Sequence, residues 1–236
     1  MDLETSFEIR MHIPLSRIQK LIGERMLQSK LTKPCFYIET KADITELMAA
    51  RGKLSKELGV KITSNAFFIR ALAVAAGKHP VTTGRLDGDR IRIADAINVG
   101  FAVNSPQGLV VPVIKNADKK SLAQIAGEDE QFTEKARNNK LTLEDMEGET
   151  MALSNLGVYG IDYFFGIVPP QTSTILGVGN VVNTAVGGYD TPDLKVTSRK
   201  LTTLTLAVDS RIINEVYAAK FLSFIAEQLQ NPRALI

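Results

Sequence analysis

Apolar side chains recur at positions 18, 21, 22 and 26, the spacing of one helix face, and Ser16 just ahead of them carries a hydroxyl suited to capping that helix. Residues 35–43 switch to β-formers and predict a strand. Helical spacing returns over 44–58, opened by Asp43 or Thr45 and closed by Gly59, the residue type that best takes the left-handed position after a helix. Residues 65–78 are apolar on nearly every side, so this helix is expected to be buried, and His79-Pro80 ends it. Strands are expected at 90–94, 97–104 and 109–114, with Pro106, Gln107 and Gly108 turning the chain between the last two. Ser121 caps a helix running to about residue 138. Residues 151–155 and 172–182 read as strands, and 184–195, with Gly187, Gly188 and Pro192, as an exposed hairpin loop. The last strand is expected at 201–208 and the last helix at 216–230.

No repeat, low-complexity tract or linker separates these elements. The pattern predicts an α/β fold, a two-layer mixed-sheet sandwich spanning residues 13–236, behind a polar, loosely held arm at 1–12. Hydrophobic residues make up 44% and charged residues 23%, as in ordinary globular domains. A net charge of +2 gives no electrostatic case for nucleic acid or a membrane surface. One cysteine, Cys35, excludes an intrachain disulfide framework and suits a reducing, intracellular compartment. With only two histidines, His12 and His79, beside it, no metal site is expected. No apolar run reaches the ~18 residues a membrane span needs, and the acidic, polar start does not read as a signal peptide.

Candidate chemistry sits where the last strand meets the last helix. Asp209, Ser210 and Arg211 form a charged triplet there, followed by Asn214 and Glu215. Such a triplet carries either chemistry or an ion pair that shapes the strand end. The segment resembles the D-H-R-x-x-[D/N]-G signature of the dihydrolipoamide acyltransferases, core subunits of 2-oxo acid dehydrogenase complexes. Other matching segments are Gly59 to Asn65, Val99 to Val103, Gly108 to Ile114, Leu153 to Gly157 (S-N-L-G in the family) and Pro169-Pro170-Gln171. The resemblance runs over essentially the whole chain from Ile13.

The resemblance implies a fold like that of chloramphenicol acetyltransferase. It also implies trimers with active sites between subunits, and trimers assembled into a large hollow core. The implied reaction passes an acyl group between a dihydrolipoyl thiol, presented by another domain, and coenzyme A. The implied partners are further copies of the chain, the other subunits of the dehydrogenase complex, or an active acyltransferase paralogue in a mixed core. The implied compartment is a bacterial cytoplasm or a mitochondrial matrix.

A thiol with a pKa of ~8.5 is mostly protonated at neutral pH, so its attack on a thioester gains from a base titrating near neutrality, as histidine does. The family's base is the histidine of D-H-R, and this chain has Ser210 there. The family accepts Asn214 at its D/N position, where it would orient that histidine, but has glycine where this chain has Glu215. By resemblance, Ser154 donates to the oxyanion of the tetrahedral intermediate; a turn-forming role for its hydroxyl is the alternative. Asp209 and Arg211 read as a strand-end ion pair or as part of the site. Arg51 and Lys53 lie on the helix that would meet the coenzyme A phosphate, and a solvated helix face accounts for them equally.

Further departures from the family are Cys35 in place of histidine after Pro34, Thr83 in place of asparagine, and a loop at 165–170 one residue short. Gly177 and Gly179 lack the strand-loop-helix setting of a phosphate loop. Leu235 and Ile236 end the chain, and related cores use such an end to plug a neighbouring trimer; a tail folded onto its own subunit is the other reading. Two functions stand against each other: a scaffold subunit resembling protein X, which also carries Asp-Ser-Arg, and an active acyltransferase with a different base. Position 210 favours the first.

Overall fold

The computed structural model describes residues 10–106, 108–187 and 196–236. The expectations for the arm before residue 10, for the turn at Gln107 and for the 188–195 part of the hairpin lie outside the described residues.

Local chemistry sets the helix ends. Helix α1 (Arg17–Thr32) opens with a reciprocal cap: the Ser16 hydroxyl accepts from the Gln19 amide, and the Gln19 side chain accepts from the Ser16 amide. Strand β1 (Cys35–Asp43) leads into α2 (Thr45–Leu58), where the Asp43 carboxylate accepts from the Thr45 amide at 2.9 Å and its hydroxyl at 2.6 Å. Gly59 ends α2 at a φ of 66°, a conformation costly for any side chain-bearing residue. Thr63 caps α3 (Ser64–Lys78), nine of whose fifteen residues are buried, in line with its apolar composition. Short strands β2 (Arg85–Asp87), β3 (Arg90–Arg92), β4 (Val99–Phe101), β5 (Val103–Ser105), β6 (Gly108–Val110) and β7 (Val113–Ile114) follow. Then come α4 (Leu122–Arg137), capped by Ser121 and Gln124, and β8 (Met151–Asn155). Two long strands, β9 (Thr174–Gly187) and β10 (Val196–Asp209), precede α5 (Glu215–Gln230).

Six strands form one mixed sheet in the order β1-β10-β9-β8-β4-β7, with β4, β8 and β9 parallel and the other pairs antiparallel. Alternating side chains separate its faces. Leu153, Leu176, Val178, Leu204, Leu206 and Val208 join the apolar sides of α2, α3, α4 and α5 in the main core. Ala152, Ile175 and Ala207 point the other way, against Val168 and Cys35. The two-layer mixed-sheet reading therefore holds. The stretch between β8 and β9 crosses that second face at backbone contact: a Cβ on Gly179 would stand 1.9 Å from the Asp162 carbonyl oxygen. Gly177 and Gly179 thus serve close passage of the chain, in keeping with the absence of a phosphate-loop setting around them.

Several expectations need correction. The strands predicted at 97–104 and 109–114 are each broken in two: β4 and β7 belong to the main sheet, while β5 and β6 form a separate pair. Pro112 has no amide to donate, so a continuous ladder cannot pass it. The strand at 90–92 pairs with 85–87, which the pattern did not reveal. Residues 184–187 continue β9 rather than starting a loop. At the C-terminus, residues 232–235 make a 3₁₀ turn that buries Leu235 completely in this chain's own core, while Ile236 stays 48% exposed. Leu235 thus folds onto its own subunit, the second of the two readings of the C-terminus. Apolar Leu21, Leu27 and Leu31 of α1 are exposed in the single chain, so this helix does not join the main core.

Candidate active site

The β10–α5 turn is built around Asp209. Its carboxylate, on a residue 1% exposed, accepts from Arg211 Nε at 2.8 Å and Nη2 at 2.6 Å, a two-pronged pair. The Arg211 amide and the amides of Ile212 and Ile213 also return to Asp209. These bonds hold the Arg211 charge more firmly than usual. Asp209 and Arg211 therefore shape the turn. Asn214 is occupied too: its side-chain oxygen accepts from the Tyr217 amide and caps α5. Glu215 is the exposed first residue of that helix, where its charge suits the helix dipole.

Ser210 is exposed and turned back toward β1. Its amide and its hydroxyl both donate to the Pro34 carbonyl, at 3.0 and 2.5 Å. Neither histidine reaches this turn: His12 is exposed in the arm, and His79 closes α3 with Nδ1 3.1 Å from the Ala75 carbonyl and its ring edge-on to Tyr217 and Phe221. The nearby departures from the family do gather here. Cys35 pairs with Asp209 across β1 and β10, and Thr83 lies in the turn whose Thr82 carbonyl binds the Ser173 and Thr174 hydroxyls. Burial, then the Asp209 charge, pushes the Cys35 thiol up.

Ser154 lies elsewhere. It sits half-buried on β8 opposite Gly177, and its hydroxyl has no hydrogen-bond partner among the described residues. The Asp209 amide meets the Ser173 carbonyl, four residues back along β9, and β9 separates β8 from β10. Strand geometry then puts Ser154 roughly 16 Å from Asp209 within one chain, and Ser210 lies one residue further on, turned toward β1. The chain does not bring these two positions together. Among the described residues no ion pair or side-chain hydrogen bond joins Arg51 or Lys53 to either position, and Lys53 lies 3.7 Å from Glu57 in an exposed pair.

Two features escaped sequence reasoning. An open cleft of about 280 Å³ is lined by Arg25, Gln28, Arg85, Glu149 and Gln171, among others. Arg85 donates to Gln171 Oε1 and to the Glu149 carbonyl, and burial pushes the Glu149 carboxyl up against the pull of Arg85 and Arg25. The second is Lys33, whose ammonium meets the carbonyls of Pro169, Pro170 and Thr172. Burial pushes it down to about 8, with Asp209 and Cys35 opposing and Arg211 and Arg85 adding to the fall. The Pro-Pro-Gln segment flagged one partner of each, but nothing local announced the other.

A mixed sheet under one helical layer is the fold of chloramphenicol acetyltransferase. That enzyme's structure aligns with a TM-score of 0.53 at 13% identity, over 87% of this chain and 94% of that chain, a likeness of fold alone. Residues 8–236 match the family described as 2-oxoacid dehydrogenases acyltransferase (catalytic domain), and the chain belongs to it. The acetyltransferase component of the pyruvate dehydrogenase complex from Rickettsia bellii is 33% identical over 94% of this chain and 53% of its own length. The mitochondrial pyruvate dehydrogenase protein X component of Mus musculus is 32% identical over 94% of this chain and 44% of its own. Among structures, the Azotobacter vinelandii dihydrolipoamide acetyltransferase aligns with a TM-score of 0.90 at 32% identity, over 100% of this chain and 97% of that one. In that enzyme a serine, a histidine and an asparagine have been examined for their roles in catalysis. The chain spans about half the length of the curated relatives it matches.

Proposed function

We propose that this chain is a core subunit of a 2-oxo acid dehydrogenase complex whose acyl transfer between dihydrolipoamide and coenzyme A is lost or strongly reduced. Residues 13–236 act as the oligomer-forming core, alone or mixed with an active paralogue, and coenzyme A binding is residual at most. One observation carries the reading: at the base position, Ser210 spends its proton on the Pro34 carbonyl and offers no group titrating near neutrality. Two neighbours are poor replacements, Lys33 for its hydrogen bonds in spite of its lowered pKa of about 8, and Cys35 for its raised thiol. The Lys33 protons are all directed to carbonyls, and burial raises the Cys35 thiol.

Ser154 and residue 210 lie too far apart to act in one chain, so the reading requires sites shared between copies. The exposed apolar side of α1 supports that.

The test is thioester transfer with dihydrolipoamide and acetyl-coenzyme A. Turnover is expected at least ~10²-fold below a histidine-bearing relative. Turnover within a few-fold of that relative would sink the proposal. Ser210→His alone is expected to restore little, because Asn214 is committed to capping α5 and Glu215 stands in the glycine position.

A further inference from the structure

The stretch before β9 cannot hold itself in place by a regular ladder. Pro169 and Pro170 have no amide protons, and its internal bonds are the Thr172 amide and hydroxyl returning to the Pro169 carbonyl at 3.1 and 3.4 Å. Arg85 holds the Gln171 side chain and the Ser173 hydroxyl meets the Thr82 carbonyl, but the carbonyls of 168–170 and 172 are fastened from α1 and the residue just beyond. Lys33 Nζ donates to Pro169 O at 2.6 Å, Pro170 O at 2.9 Å and Thr172 O at 2.5 Å, which uses all three ammonium protons. One helical turn earlier, the buried Ser29 hydroxyl donates to the Val168 carbonyl. The next residue, Pro34, receives both Ser210 donors. At the far end of the stretch, the Ser173 carbonyl receives the Asp209 amide at 2.9 Å.

We propose that Lys33 is a positioning residue: its ammonium registers the Val168–Ser173 segment against the turn that carries residue 210. Its functional meaning rests on reading position 210 as the degenerate base position; its geometry does not. The same fastening seats Val168 in the small cluster with Ala152, Ile175 and Ala207 against which Cys35 packs. The chain's only cysteine therefore reports whether the segment is in place.

The experiment measures modification of Cys35 by N-ethylmaleimide in the assembled protein near neutral pH, for wild type, Lys33→Met and Lys33→Arg. Lys33→Met is expected to react at least ~10-fold faster, and Lys33→Arg within ~3-fold of wild type, because arginine keeps a multi-donor cation. The sign is diagnostic. Losing a cation beside Cys35 lowers the thiolate share and by itself slows the reaction, so acceleration reports access. Amide exchange at Gln171, Thr172 and Ser173 is expected to rise in parallel, with α3 and α5 unchanged. An unchanged or slower Lys33→Met rate overturns the proposal. So does exchange that rises through α3 and α5 as well, since that is general loosening. A chain turning over like a histidine-bearing relative, yet showing fast modification in Lys33→Met, overturns the functional reading of position 210 and leaves the fastening intact.

Discussion

Replacing Leu235 with alanine is expected to destabilise every protomer, whereas deleting Ile236 alone is not. The two aliphatic neighbours look equivalent in sequence, but Leu235 is 0% exposed within the main core and Ile236 is 48% exposed. Emptying a fully buried leucine site costs about 2–5 kcal/mol, from lost transfer energy and the cavity left behind. For a chain of this size each kcal/mol moves Tm by about 2–4 °C, so Leu235→Ala should melt roughly 4–20 °C lower. Removing Leu235 outright should cost more, because its carbonyl also accepts from Arg70 Nε at 3.4 Å. Arg70 further binds the Asp118 carbonyl at 2.9 Å, so this turn ties α3 to the segment before α4. The assay is thermal unfolding at fixed protomer concentration, since association shifts Tm by mass action. A Leu235→Ala Tm within about 2 °C of wild type would refute the reasoning from burial. Deleting Ile236 alone separates folding from assembly. Sedimentation of that variant should show intact subunits without any particle above the trimer, and an unchanged large particle removes Ile236 as a connector.

Light scattering of the wild-type chain is expected to show a trimer or a multiple of three, and monomer alone at micromolar concentration would contradict it. Gly179→Ala is expected to cost about 3 kcal/mol or to prevent folding, since its Cβ would meet the Asp162 carbonyl oxygen at 1.9 Å; soluble yield and Tm measure it. Asp129→Asn is expected to flatten a pH dependence. Burial raises the folded-state Asp129 above its ordinary 3.8, against hydrogen bonds from Thr63 and Asn65. Just above pH 3.8 the folded state therefore keeps a proton that the unfolded chain has lost, so stability falls as pH rises through that window. Unfolding curves taken upward from pH 3.8 should lose that component in the variant, and identical slopes would count against it.

The elements legible in the sequence were those set by neighbours along the chain. Ser16 and Ser121 begin helices because a glutamine three residues on completes each cap, and β1, β8 and α3 follow from period alone. Breaks in 97–104 and 109–114 were not legible, because apolar composition continues across Ala102 and Val111 while the pairing partner changes from one sheet to another. The Asp209–Arg211 pair was readable from spacing, but the commitment of Asn214 to Tyr217 depends on where α5 starts. Lys33 was not legible at all: its three acceptors lie more than 130 residues away, and a lysine near a helix end has many ordinary explanations.

The separation of Ser154 from Ser210 has a consequence for dosage in mixed particles. If a site draws its serine from one copy and its base from the next, each copy lends its halves to two different sites. A copy with Ser210 placed among histidine-bearing copies silences the site that needed its base, yet still lends Ser154 to its neighbour. Activity should then fall in proportion to the fraction of such copies, with one site lost per copy inserted and no threshold. A cell could therefore grade the output of a particle by the ratio of two subunits, without altering the catalyst or the frame.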